Sequence, residues 1–113
     1  MRKITKLARK AFLNAVPFKL DNTEVKVTTG EFGSIITEMV LFGNIIARQY
    51  TISESGDDFR IIAITSAGHK TNTTKERLSA LPFADLHQKN FKWYLNGELW
   101  DGNWKVIHAG ILI

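Results

Sequence analysis

Glycine-containing dipeptides interrupt runs of β-branched and aromatic residues at three points: Gly43-Asn44, Asn96-Gly97 and Asp101-Gly102. Such dipeptides tolerate the positive φ of a two-residue hairpin turn, whose twist matches that of paired strands. Each one predicts a hairpin, and strands joined by hairpins are antiparallel. Three hairpin signals in a short chain leave little room for a parallel sheet, which needs long crossovers between strands.

Around Gly43-Asn44, the segment "SIITEMVLFGNIIARQYTI" is expected to place Phe42 opposite Ile45, Val40 opposite Ala47 and Glu38 opposite Gln49. The segment "FKWYLNGELWDGNWKVI" reads as a meander. Counting across its turns pairs Leu95 with Glu98, Tyr94 with Leu99, Trp93 with Trp100, and Leu99 with Trp104. Tyr94, Leu99 and Trp104 then share one face, and Trp93 and Trp100 the other. A turn at Lys89-Asn90 would set Leu86 beside Trp93. Upstream, "TEVKVTTG" alternates, with Val25 and Val27 on one side and Glu24 and Lys26 on the other, as a half-buried strand does. "FRIIAIT" is almost continuously apolar and predicts a central strand covered on both faces.

Two segments have helical periodicity. Ile4, Leu7, Ala8, Ala11 and Phe12 fall at i, i+3, i+4, i+7 and i+8, an apolar stripe within residues 1–16. Pro17 sets its end, because a residue before proline avoids the α region. In "ITSAGHKTNTTKERLSALP", Thr73 and Glu76 fit a capping box, and a short helix is expected over residues 73–82, with Pro82 stopping it and Leu78 and Leu81 facing the core. The expected fold is α+β: a basic N-terminal helix, an antiparallel sheet built from hairpins, one short helix and a C-terminal β-meander. At 113 residues the chain reads as a single domain spanning 1–113, with the helix over 1–16 and an α+β body over 20–113.

Charge is unevenly placed. The formal net charge is +4, from 15 bases and 11 acids. Six of the bases (Arg2, Lys3, Lys6, Arg9, Lys10 and Lys19) lie in the first twenty residues, which hold no acid. The remainder is therefore slightly acidic, and the asymmetry points to an anionic partner. Lys and Arg interrupt the N-terminal apolar residues too often for a signal peptide, and no apolar run reaches the ~18 residues of a membrane span. A cytoplasmic protein without membrane partners is expected. The apolar tail "HAGILI" needs cover, as an edge strand or in a homodimer.

Three blocks, "LFGNIIA", "ITSAG..TNTTKERLSALP" and "WYLNGELWDGNW", resemble a family of small proteins carried by tailed bacteriophages. The resemblance covers roughly residues 20–107, and its middle block is the most specific part. In the family pattern a Trp often follows the glycine of that block; here the position is His69. The resemblance implies a phage origin and action in the bacterial host cytoplasm. It carries over no catalytic residue.

The chemistry-bearing residues narrow the function. His69, His87 and His108 are far apart in sequence and form no H-x-x-x-H pair, so neither a metal nor another cofactor is expected. No serine has a nucleophile-elbow context, and no enzyme activity is expected. The loop before the short helix offers Gly68, His69, Lys70, Thr71, Thr74, Lys75 and Arg77 around a helix N-terminus, where backbone N–H groups attract anions. It lacks the second glycine of a P-loop. Together with Arg2, Lys3, Lys6, Arg9 and Lys10 it makes a candidate phosphate-binding set, with Trp93, Tyr94 and Trp100 as candidate stacking residues for bases. The leading expectation is a small non-enzymatic phage protein that binds nucleic acid, DNA or RNA, through phosphate contacts. The alternatives are an inhibitor that docks on a host or anti-phage defence enzyme, an acidic host protein being the partner, and a binder that sequesters a nucleotide.

Overall fold

The computed structural model describes residues 1–54 and 56–111. Helix α1 (Lys3–Asn14) is followed by strands β1 (Phe18–Leu20), β2 (Thr23–Thr29), β3 (Ile35–Leu41), β4 (Asn44–Glu54) and β5 (Asp57–Ile64). Helix α2 (Asn72–Ser79) and strands β6 (Leu86–Lys89), β7 (Lys92–Leu95) and β8 (Glu98–Leu99) come next, and β9 (Lys105–Ile111) closes the order. Two antiparallel sheets result. The larger runs β1-β2-β3-β4-β5-β9 and the smaller β6-β7-β8. The α+β expectation holds, and everything between Ile64 and Lys105 is an excursion from which the chain returns to pair with β5.

The helices and the small sheet cover one face of the large sheet. The core joins Ala8, Ala11 and Phe12 of α1 to Val25, Met39, Leu41, Ala47, Ile62 and Ile64 of the sheet, to Leu78 of α2, and to Trp93, Leu95 and Trp100. Polar groups hold α1 in place. Gln49 Nε2 donates to the Phe12 carbonyl at 2.8 Å, and Arg60 Nη1 donates to the Leu13 carbonyl at 2.6 Å and to Gln49 Oε1 at 3.1 Å. These bonds satisfy carbonyls that the end of a helix leaves unpaired. Ala15 takes the left-handed conformation there (φ 53°) and ends the helix before Pro17.

Several registers differ from the sequence reading. The β3–β4 turn is Phe42-Gly43, not Gly43-Asn44: φ is 50° and 79° at these two residues, and Leu41 lies opposite Asn44. The turn takes its glycine in second position, the order found in Asn-Gly, so the loop slides back by one residue. A bulge between Met39 and Val40 follows. Val40 then faces Ile45, Met39 faces Ala47, and Glu38 faces Arg48 rather than Gln49.

The C-terminal meander is only half formed. Asn96-Gly97 makes its turn, with Leu95 opposite Glu98 and Tyr94 opposite Leu99 as expected. The preceding turn is Asn90-Phe91 rather than Lys89-Asn90, so Leu86 faces Leu95 and Gln88 faces Trp93. Asp101-Gly102 makes no hairpin, and Leu99 does not pair with Trp104. The Gly102 carbonyl accepts the Ser66 N–H at 2.8 Å and the Thr65 and Ser66 hydroxyls at 3.0 Å each, which steers the chain onto β5. The eight-residue edge of β5 gives β9 more backbone hydrogen bonds than two-residue β8 could.

In α1 the buried stripe is Thr5, Ala8, Ala11 and Phe12, while Leu7 is exposed, so the helix is turned toward Thr5. In α2 the N-cap is Thr71 rather than Thr73: its side chain accepts the Thr74 N–H at 3.2 Å. Leu78 and Leu81 face the core as expected. Strand β5 is paired on both sides but lies one strand in from the edge, and only one of its faces is covered. Ile62 and Ile64 are fully buried, Ile61 and Ala63 partly, and Phe59 is exposed.

Candidate functional site

The bases expected to hold phosphate divide into three groups. Arg77 is spent inside the fold. It is only 1% exposed and donates to Thr5 Oγ1 at 2.7 Å, Thr23 Oγ1 at 3.1 Å, Glu76 Oε1 at 3.1 Å and Asn22 Oδ1 at 3.4 Å. Burial pushes its pKa down, and the adjacent Glu76 carboxylate opposes this. Arg2 reaches the same carboxylate at 3.2 Å. Glu76 also accepts the Thr5 hydroxyl, which, with Arg2 and Arg77, holds its carboxyl below the usual carboxylate range against the opposing effect of burial. Glu76 is thus a clasp between α1 and α2 and not a capping residue. Arg2 and Arg77 are not free phosphate ligands.

The loop before α2 satisfies itself. The Thr65 hydroxyl accepts the Ala67 N–H at 3.1 Å, and Ser66 Oγ accepts the Gly68 N–H at 3.3 Å. The His69 N–H donates to the Ser66 carbonyl at 2.9 Å, and the Thr71 and Thr74 hydroxyls bond each other at 3.0 Å. A pocket of 230 Å³ lies over this helix start, with Leu41, Phe42 and Ile46 facing His69, Thr71 and Thr74. That is below the roughly 300–1,000 Å³ of typical small-molecule sites, and its walls are largely apolar. The geometry is that of a capped turn, with the Thr74 N–H taken by the Thr71 hydroxyl and the Lys75 N–H by the Thr71 carbonyl.

Lys75 bonds Gln88 Oε1 at 3.1 Å and so leans onto the small sheet. Lys3, Lys6 and Lys10 are exposed at i, i+3 and i+7, on the side of α1 opposite its buried stripe, with Arg9 exposed on their flank. This ridge is a surface of its own. Helix α1 packs over β1, β2 and β3, whereas Lys70 belongs to a cleft at the β9 end of the strand order. The two basic groups therefore do not form one continuous track.

That cleft, of 570 Å³, lies between β7-β8 and the start of β9. Lys70, Lys92 and Lys105 line it, and none of the three appears in an ion pair among the described residues. Glu98 and Asp101 are also on its wall, so its charge is positive but modest. Trp93 and Trp100 form the floor and are buried, with ring centroids 6.2 Å apart, and Trp100 Nε1 donates to the Asn103 carbonyl at 2.9 Å. They are core aromatics, and the fold leaves little of either ring open to a stacking base. Tyr94 is half-buried in β7 and does not line the cleft.

Two other aromatics do. Trp104 is 48% exposed, and its ring has the Arg48 guanidinium 5.2 Å from its centroid. Phe91 is 94% exposed with φ of 66°, at a turn position where glycine fits best. Trp104 shares its sequence-predicted row with Tyr94, whereas Phe91 was not a candidate stacking residue from sequence. Phe91 could have been found there, because "NF" stands where hairpin chemistry asks for "NG". Among the described residues, no three His, Cys, Asp or Glu side chains come together as metal ligands, and no helix is long and apolar enough to cross a membrane.

Residues 1–108 match the model of the Kyanoviridae Gp96 protein family. The chain belongs to this family of cyanophage proteins. The match extends over α1, both sheets and the cleft, so all the surfaces described above lie within the family's span except the end of β9. None of the curated proteins and none of the solved structures matches the chain.

Proposed function

We propose that this family member is a non-enzymatic phage protein that binds single-stranded nucleic acid in the host cytoplasm, with the 570 Å³ cleft as its base-stacking site. The observation that carries this reading is Phe91. An almost fully exposed phenylalanine in the left-handed region costs stability and gains little from packing. Phe32 shares that exposure and conformation, but it is Phe91 that lines the cleft, where a contact outside the chain would offset the cost. Phe91 and Trp104 offer ring faces to two bases, while Lys70, Lys92 and Lys105 lie within reach of the connecting phosphates. Arg48 behind Trp104 makes that ring a more rigid platform. The ridge of Lys3, Lys6 and Lys10 supplies a separate, purely electrostatic contact.

The test is fluorescence anisotropy of labelled single-stranded DNA, duplex DNA and RNA over a range of salt. Binding should favour single strands and weaken steeply with salt, by about 0.7 in log–log slope for each phosphate contact. Phe91→Ala should cost about 1–3 kcal/mol of affinity with little change in that slope. Replacing Lys70, Lys92 and Lys105 by Ala should flatten the slope. Absence of binding at low salt would overturn the reading.

A further inference from the structure

The face of the large sheet turned away from the helices is uncovered. Its rows follow from the strand register, because residues directly opposite each other share a face. One row is Thr28, Ile36, Tyr50, Ile61, Ala109; the next is Lys26, Glu38, Arg48, Ala63, Val106; a third is Ile52, Phe59, Ile111. Tyr50, Ile52, Phe59, Val106 and Ile111 are all exposed large side chains. The covered face of the same strands carries Thr37, Gln49 and Ile62, all fully buried. An apolar centre on an uncovered sheet face is what two sheets of a β-sandwich bury against each other.

We infer that two copies of this chain pack these faces together about a two-fold axis, closing a β-sandwich. Two observations select a second copy as the occupant. The first is area. Five long strands at about 4.8 Å spacing, each about seven residues at 3.4 Å rise, present a surface of about 24 by 24 Å. With side chains standing off that plane, this approaches the ~800 Å² per partner of a stable interface. The second is charge. Among the described side chains, the charges at the centre of the face are Glu38 and Arg48, which already pair at 2.8 Å. Two hydrogen bonds from Arg48 to Glu38 Oε2, at 2.9 and 2.8 Å, let them enter the interface as a matched pair. A face that is neutral at its centre does not select a charged partner, and interfaces between like chains are the more apolar class.

The test is the mass of the full chain by light scattering on a sizing column, from micromolar concentration to the solubility limit. Twice the chain mass is expected. Tyr50→Lys and Ile52→Lys, made separately, should each lose the dimer while keeping the wild-type circular dichroism. If the lysine variants fail to fold, the wild-type melting temperature still decides: coupled folding and association make it rise with protein concentration. A monomer at every concentration with a concentration-independent melting temperature would overturn the inference. So would a dimer that survives both lysine substitutions, or a monomer whose sheet face captures a host protein.

Discussion

Phe32, Phe42, Phe83 and Phe91 all have positive φ, between 50° and 70°. A bulky residue is uncommon there, because its Cβ crowds the backbone. Phe83 gains a partner, stacking on His108 with ring centroids 4.3 Å apart. Phe32 and Phe91 gain none of that kind inside the chain, and of the two it is Phe91 that lines the cleft. Phe91→Gly completes an Asn-Gly turn, so it should stabilise the fold by about 0.5–1 kcal/mol in urea unfolding. It should also weaken single-strand binding. A variant both less stable and undiminished in binding would argue that Phe91 is there for the turn. Arg77 teaches the opposite lesson at the same scale. In sequence it is one more base in a basic loop; in the fold it is a buried hub whose hydrogen bonds join α1, β2 and α2.

At the scale of elements, the Thr5–Glu76–Arg2 clasp makes the packing of α1 on α2 depend on pH. The folded Glu76 carboxyl is held below its ordinary range, so below that range the unfolded chain binds the extra proton more readily. Its contribution is therefore complete above the unfolded glutamate pKa and is lost as pH falls through the lower folded value. Glu76→Gln should lower stability at neutral pH and flatten the acid side of the stability profile, read from urea midpoints at a series of pH values. An unchanged acid slope would mean that the clasp contributes nothing to the titration. The same clasp shows why the helix stripe was legible only to within one turn. Apolar spacing marks Ile4 and Leu7 as strongly as Ala8, but hydrogen bonds from Arg77 and to Glu76 draw in Thr5, which no hydropathy pattern would select. The hairpins behave likewise. A dipeptide signals that a turn exists, and the order of its two residues decides the register, so Phe42-Gly43 was one residue from the expected place.

For the whole molecule, the decisive event is the return of β9 to β5. It hinges on Gly102, with φ of 90° and its carbonyl held by Thr65 and Ser66. A Cβ there would sit 2.5 Å from Ser66 Oγ and 3.0 Å from Lys70 Cε. Gly102→Ala should therefore cost about 2 kcal/mol or more, by strain and lost hydrogen bonds together. Hydrogen exchange should then show β9 amides losing protection before those of β3 and β4. Loss of protection spread evenly over the sheet would deny Gly102 this local role. Alternation, turn dipeptides, proline stops and helical spacing, all local, determined from sequence that the chain is α+β, antiparallel, basic at its N-terminus and helical at two places. They act between residues a few positions apart, so one sequence carries them in full. Which of two edges β9 would join, which of three tryptophans would be left exposed in the cleft, and which bases would be consumed by the core depended on residues far apart in the chain. Those contacts compete for the same partners, and only packing in three dimensions decided between them.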